Sequence, residues 1–159
     1  MTERLVIDTS VAVKWFIRDT LESNIDLADD LLTAFLEGKF ELYAPPVFPF
    51  EVCNAFTKAC GHRYPGTRLS RLTKQKAAEY MRQLFNLPIT IEMFTQDQII
   101  EVIGLAVDYS KTYYDATYLA LAEELDCKWC TADNKILKSA PSNFPVNRIL
   151  PLSSLSLNL

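Results

Sequence analysis

The chain has 159 residues, of which 49% are hydrophobic and 23% are charged, with a formal net charge of −4. These values are those of an ordinary globular domain with a sizeable core, and they exclude a generally basic nucleic-acid-binding surface. No run of about twenty apolar residues could span a bilayer, and MTERLVID does not begin like a signal peptide. We therefore expect one cytosolic domain over residues 1–159, with no membrane association and with its four cysteines as reduced thiols.

The first part of the chain predicts two strands and three helices. A buried strand over 5–8 is followed by a short helix over 11–17, which Ser10 can N-cap. Apolar residues at helical spacing predict a second helix over 23–37, which ends at Gly38. A strand over 40–44 stops at two prolines, and a third helix over 47–60 tolerates Pro49 in its first turn.

The second part continues the alternation of helices and strands. A loop rich in glycine and proline, GHRYPGTR, precedes the remaining predicted elements: a helix over 73–86, a strand over 89–94, helices over 96–109 and 114–125, a strand over 128–131, a short helix over 133–139 and a strand over 147–150. The uncharged tail 152–159 can extend the last strand, pack on a partner or fray. This order predicts an α/β fold, a three-layer α/β/α sandwich with a central, mainly parallel sheet.

Four acidic residues lie where such a sheet would gather them into one cleft. Asp8 and Asp133 each follow directly on a short apolar run, so each ends a predicted strand at the edge where open α/β sheets bind ligands. Glu51 and Asp115 lie in early turns of apolar helices. Because clustered carboxylates repel one another, a hard divalent cation that prefers oxygen ligands is the simplest account of the pattern.

Each acid also has a structural explanation. Asp8 could be a turn residue or a helix cap, Asp133 could cap the helix that follows it, and Asp115 could interact with the helix dipole. Glu51 is harder to explain in this way, because its segment is apolar over most of its circumference. A buried glutamate needs a cation or hydrogen-bond donors, and Asn54, three positions on, could orient it.

Four motifs carry a resemblance to a known family. The chain resembles the PIN-domain nucleases, most closely the VapC-type toxins of bacterial toxin–antitoxin pairs, in the segments LVIDTSVAVKWF, FEVCNAF, YYDATYLALAEEL and TADNKIL. The resemblance covers essentially the whole chain in the expected order. It implies a single-stranded RNA endonuclease that uses Mg²⁺ or Mn²⁺, with the metal held by Asp8, Glu51, Asp115 and Asp133. It also implies inhibition by a small antitoxin protein.

Three polar residues are expected to support the acids. Thr9 lies in the turn after the first strand, Asn54 follows Glu51 by three positions, and Thr131 matches a hydroxyl residue that the family often has beside the last acid. His62 is the only histidine, so the paired-histidine mechanism of many ribonucleases is excluded.

Positive charge is concentrated in one part of the chain. Seven of the sixteen lysines and arginines lie between residues 58 and 82, against the single acid Glu79. Arg63, Arg68 and Arg71 in this stretch are therefore candidates to bind RNA phosphates, and the alternative is a solvated helix face with a polar loop. Lys14, near the expected cleft, could contact a phosphate or be a solvated lysine. The basic connection GHRYPGTRLSR departs from the family pattern, so the family says little about the RNA target.

Other chemistries are less well supported. Cys127 and Cys130 form a CxxC motif, but it runs into a predicted strand, where residues three apart point to opposite faces. A phosphatase of the haloacid-dehalogenase type needs a second aspartate at the position where this chain has Ser10. A phospho-receiver domain needs an acceptor aspartate at the end of the third strand, where this chain offers only the displaced Asp97. Nucleotide-cofactor binding has no support, because no phosphate-binding glycine loop is present. The rival from another class is a catalytically inactive PIN-fold RNA-binding or scaffold module.

Several large apolar side chains exceed what a short two-faced sheet obviously needs. They are Trp15, Phe16, Phe35, Phe56 and the leucines of the tail. Exposed apolar patches usually mark interfaces, and the commonest closed arrangement of identical chains is a symmetric dimer. We therefore expect a homodimer.

Overall fold

A five-stranded sheet forms the centre of the molecule. The computed structural model describes residues 2–19, 21–61 and 70–156. Its strands are β1 (Glu3–Ile7), β2 (Phe40–Ala44), β3 (Thr90–Ile91), β4 (Lys128–Thr131) and β5 (Ile149–Pro151). They lie in the order β3-β2-β1-β4-β5, and every neighbouring pair is parallel. The chain moves outward from β1 to β3 and then returns to the other side of β1, so the strand order reverses between β1 and β4.

Helices connect the strands and complete the three-layer α/β/α sandwich that the sequence predicts. Within the described residues they are α1 (Thr9–Ala12), α2 (Ile25–Leu36), α3 (Phe48–Gly61), α4 (Lys74–Asn86), α5 (Gln96–Asp108), α6 (Tyr113–Glu124) and α7 (Lys135–Lys138). Short 3-10 helices lie at Val13–Trp15, Val146–Arg148 and Leu152–Ser154. None of the helices in the described part of the chain is long and apolar enough to cross a membrane.

The central strand is buried on both faces. Leu5, Val6 and Ile7 are successive residues of β1, and all three are 0% exposed. Because successive side chains of a strand point to opposite faces, helices must cover both sides of the sheet at this position. This burial explains why residues 5–7 of β1 form an uninterrupted apolar run rather than an alternating one.

The predicted and observed elements differ in local detail. The predicted helix over 11–17 is α1 followed by a 3-10 turn, and its N-cap is Asp8 rather than Ser10, because the Asp8 side chain accepts a hydrogen bond from the Ser10 amide at 2.9 Å. The predicted strand over 89–94 contains only the two residues of β3, which pair with Tyr43 and Ala44 at the end of β2.

The aromatic residues that suggested an interface belong to the core instead. Trp15, Phe35 and Phe56 are at most 7% exposed, and the ring of Phe16 packs edge-on against Phe56 at a centroid distance of 5.8 Å. These side chains therefore lend no support to a dimer. In the tail, Leu152 is also fully buried, so the chain packs onto the core immediately after β5.

The exposed apolar side chains lie elsewhere. Helix α5 carries a stripe of three large apolar residues, Ile99, Ile103 and Val107, which are 49%, 55% and 72% exposed. Their spacing of four residues places them on one side of the helix. We call this surface the α5 face.

The four cysteines are free. Burial raises the pKa of the Cys127 thiol and raises that of Cys130 to about 12. Because the thiolate is the reactive and metal-binding form, the Cys127 and Cys130 thiols are poorly suited to redox or zinc chemistry.

Candidate active site

A cleft lies at the carboxyl ends of β1 and β4, where the strand order reverses. Open α/β sheets form a ligand-binding crevice at this position. The cleft has a volume of about 320 Å³. All four acidic residues singled out in the sequence line it: Asp8, Glu51, Asp115 and Asp133. Thr9, Ser10 and Tyr118 contribute to its walls, and none of its described lining residues is a lysine or an arginine.

A larger cleft, of about 690 Å³, lies at the opposite edge of the sheet, where the strands begin. Its charged side chains are largely paired with one another. Arg4 lies 3.8 Å from Glu41, and Arg148 lies 2.7 Å from Asp126. The smaller cleft is the better candidate because its charges are of one sign and lack protein counter-charges among its described lining residues.

Asp8 forms the floor of the cleft. It is 7% exposed, and it follows β1 as the N-cap of α1. One carboxylate oxygen accepts hydrogen bonds from the amide and hydroxyl of Ser10, and the other accepts one from the indole Nε1 of Trp129 at 3.0 Å. Burial raises the pKa of Asp8, although these hydrogen bonds act in the opposite direction. The carboxylate is thus a helix cap and a cleft residue at the same time.

Glu51 is half-buried in the first turn of α3. Its Oε2 atom accepts a hydrogen bond from the Tyr118 hydroxyl. Burial is the largest cause of its raised pKa, and the negative charges of Asp8 and Asp115 raise the pKa further, against the effect of the Tyr118 hydrogen bond. The charges of two other acids of the cleft therefore repel the Glu51 carboxylate. Such repulsion is expected where carboxylates are gathered without a counter-charge.

The other two acids are more accessible. Asp115 is partly buried in the first turn of α6, where its amide donates to the hydroxyl of the N-cap Thr112 at 3.0 Å. Asp133 is exposed, and its carboxylate accepts a hydrogen bond from the Lys135 amide at 2.9 Å at the start of α7. The four acids thus range from a buried floor at Asp8 to an exposed rim at Asp133.

A hydroxyl pair connects the ends of β1 and β4. The Ser10 hydroxyl accepts a hydrogen bond from the Ala132 amide at 2.8 Å and lies 3.3 Å from the Thr131 hydroxyl, which accepts one from the Asp133 amide at 3.1 Å. The hydroxyl of Thr131 thus lies beside Ser10 and the Asp133 amide. The bridging role of Ser10 was missed because its partners on the β4 side, Thr131 and Ala132, are more than a hundred residues away in sequence.

The remaining predicted supporting residues differ in position. Thr9 lines the cleft, and its buried hydroxyl oxygen has no hydrogen-bond partner within the described residues. The side chain of Asn54 is exposed and does not line the cleft, and the donor that reaches Glu51 is Tyr118 instead.

Tyr118 and Trp129 are the other residues that the sequence interpretation missed. Both are almost fully buried, at 2% and 1% exposed, and their rings stack at 5.6 Å with an interplanar angle of 17°. Burial and the charge of Glu51 raise the pKa of Tyr118 well above its usual range, so the hydroxyl remains a neutral donor. The available sequence signal is that both polar aromatic residues occupy strongly apolar segments, where their N–H and O–H groups require partners.

The chemistry of the cleft fits a hard divalent cation, because its charged groups are all carboxylates. The side chains do not, however, form a preassembled coordination shell. Among the described residues, no group of three or more histidine, cysteine, aspartate or glutamate side chains is placed to hold a metal ion. Binding would therefore require the more accessible acids, Asp115 and Asp133, to turn inward towards Asp8 and Glu51.

Two of the predicted RNA-binding side chains take part in a network of ion pairs. Lys14 is 7% exposed at its side chain and donates to Glu22 at 3.0 Å. Arg71 bonds the same glutamate at 2.7 Å and also bonds Asp19. An RNA contact by either side chain would have to compete with these carboxylates. Arg63 and Arg68, like His62, lie outside the described residues.

Comparisons with known proteins agree with the predicted resemblance. The model of the PIN domain family matches residues 5–141. The chain is 21% identical over 140 residues to ribonuclease VapC3 of Pyrobaculum aerophilum, a match that covers 87% of this chain and 96% of that protein.

Solved structures of low sequence identity share the fold. The crystal structure of VapC20 of Mycobacterium tuberculosis, a toxin that cleaves the sarcin–ricin loop, matches with a TM-score of 0.58 and 13% identity, over 85% of this chain and 94% of that one. A toxin–antitoxin complex from Klebsiella pneumoniae matches with a TM-score of 0.62 and 16% identity, over 95% of this chain and 99% of that one.

Replacing Glu22 should destabilise the protein. Glu22→Gln leaves the buried ammonium group of Lys14 without this counter-charge, which should cost about 3 kcal/mol at pH 7. Burial raises the pKa of Glu22, but its bonds to Arg71 and Lys14 outweigh that effect and lower it. The stabilisation is therefore present above the ordinary carboxyl pKa of about 4 and should disappear as the pH falls through the lowered value. Urea unfolding from pH 7 to pH 3 measures this difference.

Glu37→Gln is the matched control, because Glu37 pairs with Lys39 on the surface, where such a pair contributes about 0.5 kcal/mol or less. Equal stabilities of the Glu22 and Glu37 variants at pH 7 would contradict the structural role of the network.

Replacing Glu51 should have the opposite effect on stability. Glu51→Gln removes one of the mutually repelling charges and keeps an oxygen that can accept from Tyr118. In the presence of a chelator the variant should therefore be more stable than the wild type, by on the order of 1 kcal/mol. Chemical unfolding in EDTA measures this change. A variant that is less stable than the wild type would show that the four carboxylates do not repel one another as inferred.

Proposed function

Because the chain belongs to the PIN domain family, we propose that it is a metal-dependent endonuclease that hydrolyses phosphodiester bonds in single-stranded RNA. One observation carries this proposal above the others. Four carboxylates from separate parts of the chain line one cleft at the carboxyl ends of β1 and β4, with no basic side chain among the described lining residues. The similarity to a VapC ribonuclease supports RNA as the substrate class. An enzyme acting on cellular RNA would work in the cytosol.

Asp8, Glu51, Asp115 and Asp133 would hold Mg²⁺ or Mn²⁺. Such an ion, when bound, polarises a phosphate and lowers the pKa of a bound water so that hydroxide forms near neutral pH. The raised pKa values of Asp8 and Glu51 support this assignment, because a cation would relieve the cost of burying their charges.

The chain's own residues have distinct parts in this proposal. Asp8 is fixed by Ser10 and Trp129 and forms a rigid floor for the site. Asp133, exposed at the rim, is the acid that a substrate would meet first. Thr9 lines the cleft, but its hydroxyl oxygen is buried, so this residue would support the wall of the site rather than contact the substrate.

The basic stretch between residues 58 and 82 remains the proposed RNA-binding surface. Lys58, Lys74 and Arg82 are exposed and can interact with phosphates without breaking an ion pair that the structure places on them. Lys14 and Arg71 would contribute by exchanging carboxylates for phosphates, and Arg63 and Arg68 complete the proposed set. This surface would supply the positive charge that the described lining residues of the cleft do not provide.

RNA cleavage should require Mg²⁺ or Mn²⁺ and stop in EDTA. Asp8→Asn and Asp115→Asn should each reduce cleavage of a mixed single-stranded RNA by at least about a hundredfold, in line with the loss of a residue central to metal catalysis. Asp30→Asn, an exposed acid on α2, is the matched control and should retain full activity. Circular dichroism should confirm that all three variants are folded.

The alternative function is an inactive PIN-fold module that binds RNA or serves as a scaffold. It is favoured by the lack of a preassembled metal group among the described residues. RNA binding without cleavage under any divalent cation would establish this alternative, and cleavage in chelator would contradict the metal mechanism.

We also propose that the chain is the toxin of a toxin–antitoxin pair. The similarity to VapC3 and to a toxin–antitoxin complex from Klebsiella pneumoniae supports a small protein inhibitor. An antitoxin could insert a basic side chain among the four carboxylates, where charge-assisted hydrogen bonds would replace the metal. This mode of inhibition is suited to a cleft whose described lining residues include no lysine or arginine.

We propose that the homodimer forms through the α5 face. An apolar groove of about 280 Å³ adjoins it and is lined by Met93, Tyr113 and Tyr114 among others.

Ile103→Asp should convert a concentration-dependent dimer into a monomer, because a carboxylate at the centre of an apolar interface loses its hydration. Light scattering across the micromolar range measures the mass. Leu36→Asp on α2, where Leu36 is 61% exposed, is the control and should leave association unchanged. A wild-type chain that is monomeric throughout would contradict the dimer.

A further inference from the structure

We propose that Tyr118 and Trp129 are positioning residues that hold the carboxylates of Glu51 and Asp8, as a single stacked unit, in the orientation that binds a divalent cation. This inference rests on the proposed metal-dependent function and assigns a specific task to two residues that do not themselves supply a metal ligand. Each residue donates one hydrogen bond to one acid of the cleft.

The contacts join two distant acids through one pair of rings. Trp129 donates from Nε1 to Oδ2 of Asp8 at 3.0 Å, and the Tyr118 hydroxyl donates to Oε2 of Glu51. The two rings stack at 5.6 Å and are nearly parallel. A shift of either ring would therefore disturb its neighbour and, through it, the other carboxylate.

Burial makes this unit rigid. Trp129 belongs to β4 and Tyr118 belongs to α6, so the sheet and a helix that packs on it fix the two rings from different sides. Both side chains are at most 2% exposed, and close-packed interiors leave little room for a change of rotamer. The two hydrogen bonds pass this rigidity to the carboxylates, and Ser10 holds Asp8 in addition.

The hydrogen bond to Glu51 also leaves one carboxylate oxygen available. Glu51 uses Oε2 for Tyr118, and its Oε1 atom has no hydrogen bond from any described residue. A carboxylate held by one oxygen presents the other in a defined direction, which is the usual task of groups that surround metal ligands.

The chemical type of the donors matters. Leucine or phenylalanine at either position could fill much of the same volume but would donate no hydrogen bond. Lysine or arginine would donate, but its charge would neutralise the acid and compete with a cation. The tyrosine hydroxyl and the indole N–H are neutral donors, so they orient the carboxylates while the negative charge of the cleft remains.

The Tyr118 arm is tested by cation binding rather than by activity. Tyr118→Phe keeps the stacked ring and removes only the donor. Binding of Mn²⁺ to the purified full-length chain, followed by electron paramagnetic resonance of free Mn²⁺, should weaken about tenfold. In a Glu51→Gln background the same substitution should have no further effect, because Tyr118 acts through the Glu51 carboxylate. Tyr43→Phe is the matched control, since the Tyr43 hydroxyl donates to Glu41 at 3.0 Å outside the cleft.

The Trp129 arm has a spectroscopic readout. The two tryptophans are Trp15 and Trp129, and only Trp129 bonds an acid of the cleft. Addition of Mg²⁺ should therefore change the fluorescence of Trp15→Phe and leave that of Trp129→Phe unchanged. The Mg²⁺ response of Trp15→Phe should saturate together with cation binding.

Three outcomes would overturn the inference. One is a Tyr118→Phe variant that binds Mn²⁺ as the wild type does, and another is an equal loss in the Glu51→Gln background. The third is a Mg²⁺ response that survives in Trp129→Phe. Each of these can occur while the wild type binds Mn²⁺ and cleaves RNA, in which case the proposed function stands. A wild type that binds no Mn²⁺ would overturn the metal-dependent function together with this inference.

Discussion

The connection between the carboxyl ends of β1 and β4 is the constraint on which the site depends. The hydroxyl of Ser10 bonds the Asp8 carboxylate on its own side and accepts the Ala132 amide from the other strand end. Parallel strands place their carboxyl ends at one edge, and the reversal of strand order opens a crevice there. The backbone pairing of β1 with β4 holds the two strand ends side by side, and the hydroxyl bridge joins the turns that follow them, so Asp8 and Asp133 lie on the walls of one cleft.

Electrostatic repulsion within that cleft is the second physical determinant. Glu51 experiences the charges of Asp8 and Asp115 as well as the cost of its own burial. Such an arrangement stores unfavourable energy in the folded protein, and natural sequences retain it mainly where function requires it. The surrounding donors, Ser10, Tyr118 and Trp129, are all neutral. They keep the carboxylates in place but do not remove the net negative charge that would attract a cation.

The positive charges of the chain serve two different purposes. Lys14 and Arg71 are paired with acids next to the first helical segment. The backbone amide of Arg71 also donates to the Ala59 carbonyl at 3.0 Å, which fixes Arg71 beside the end of α3. Lys58, Lys74 and Arg82 of the same stretch are exposed, whereas the exposed Lys76 is paired with Glu79. A high density of basic residues in the sequence is therefore a weak predictor of a phosphate-binding surface, because tertiary pairing decides which of the charges are available.

The sequence by itself determined the fold class and the order of the elements, and it singled out the four acids as candidates to share one cleft. Strands β2 and β4 have the bounds that the sequence predicts, 40–44 and 128–131, and the motifs around the four acids indicate the family that the comparison confirms. Tertiary structure alone decided which side chains became partners. Glu51 and Tyr118 are 67 residues apart, and Asp8 and Trp129 are 121 apart, so no local pattern could connect them. Hydrophobic periodicity specifies which face of an element is buried, but not which distant group lies opposite. For that reason Phe56 could be mistaken for an interface residue and Asn54 for the partner of Glu51, whereas only the packed sheet and helices revealed the aromatic pair beneath the cleft.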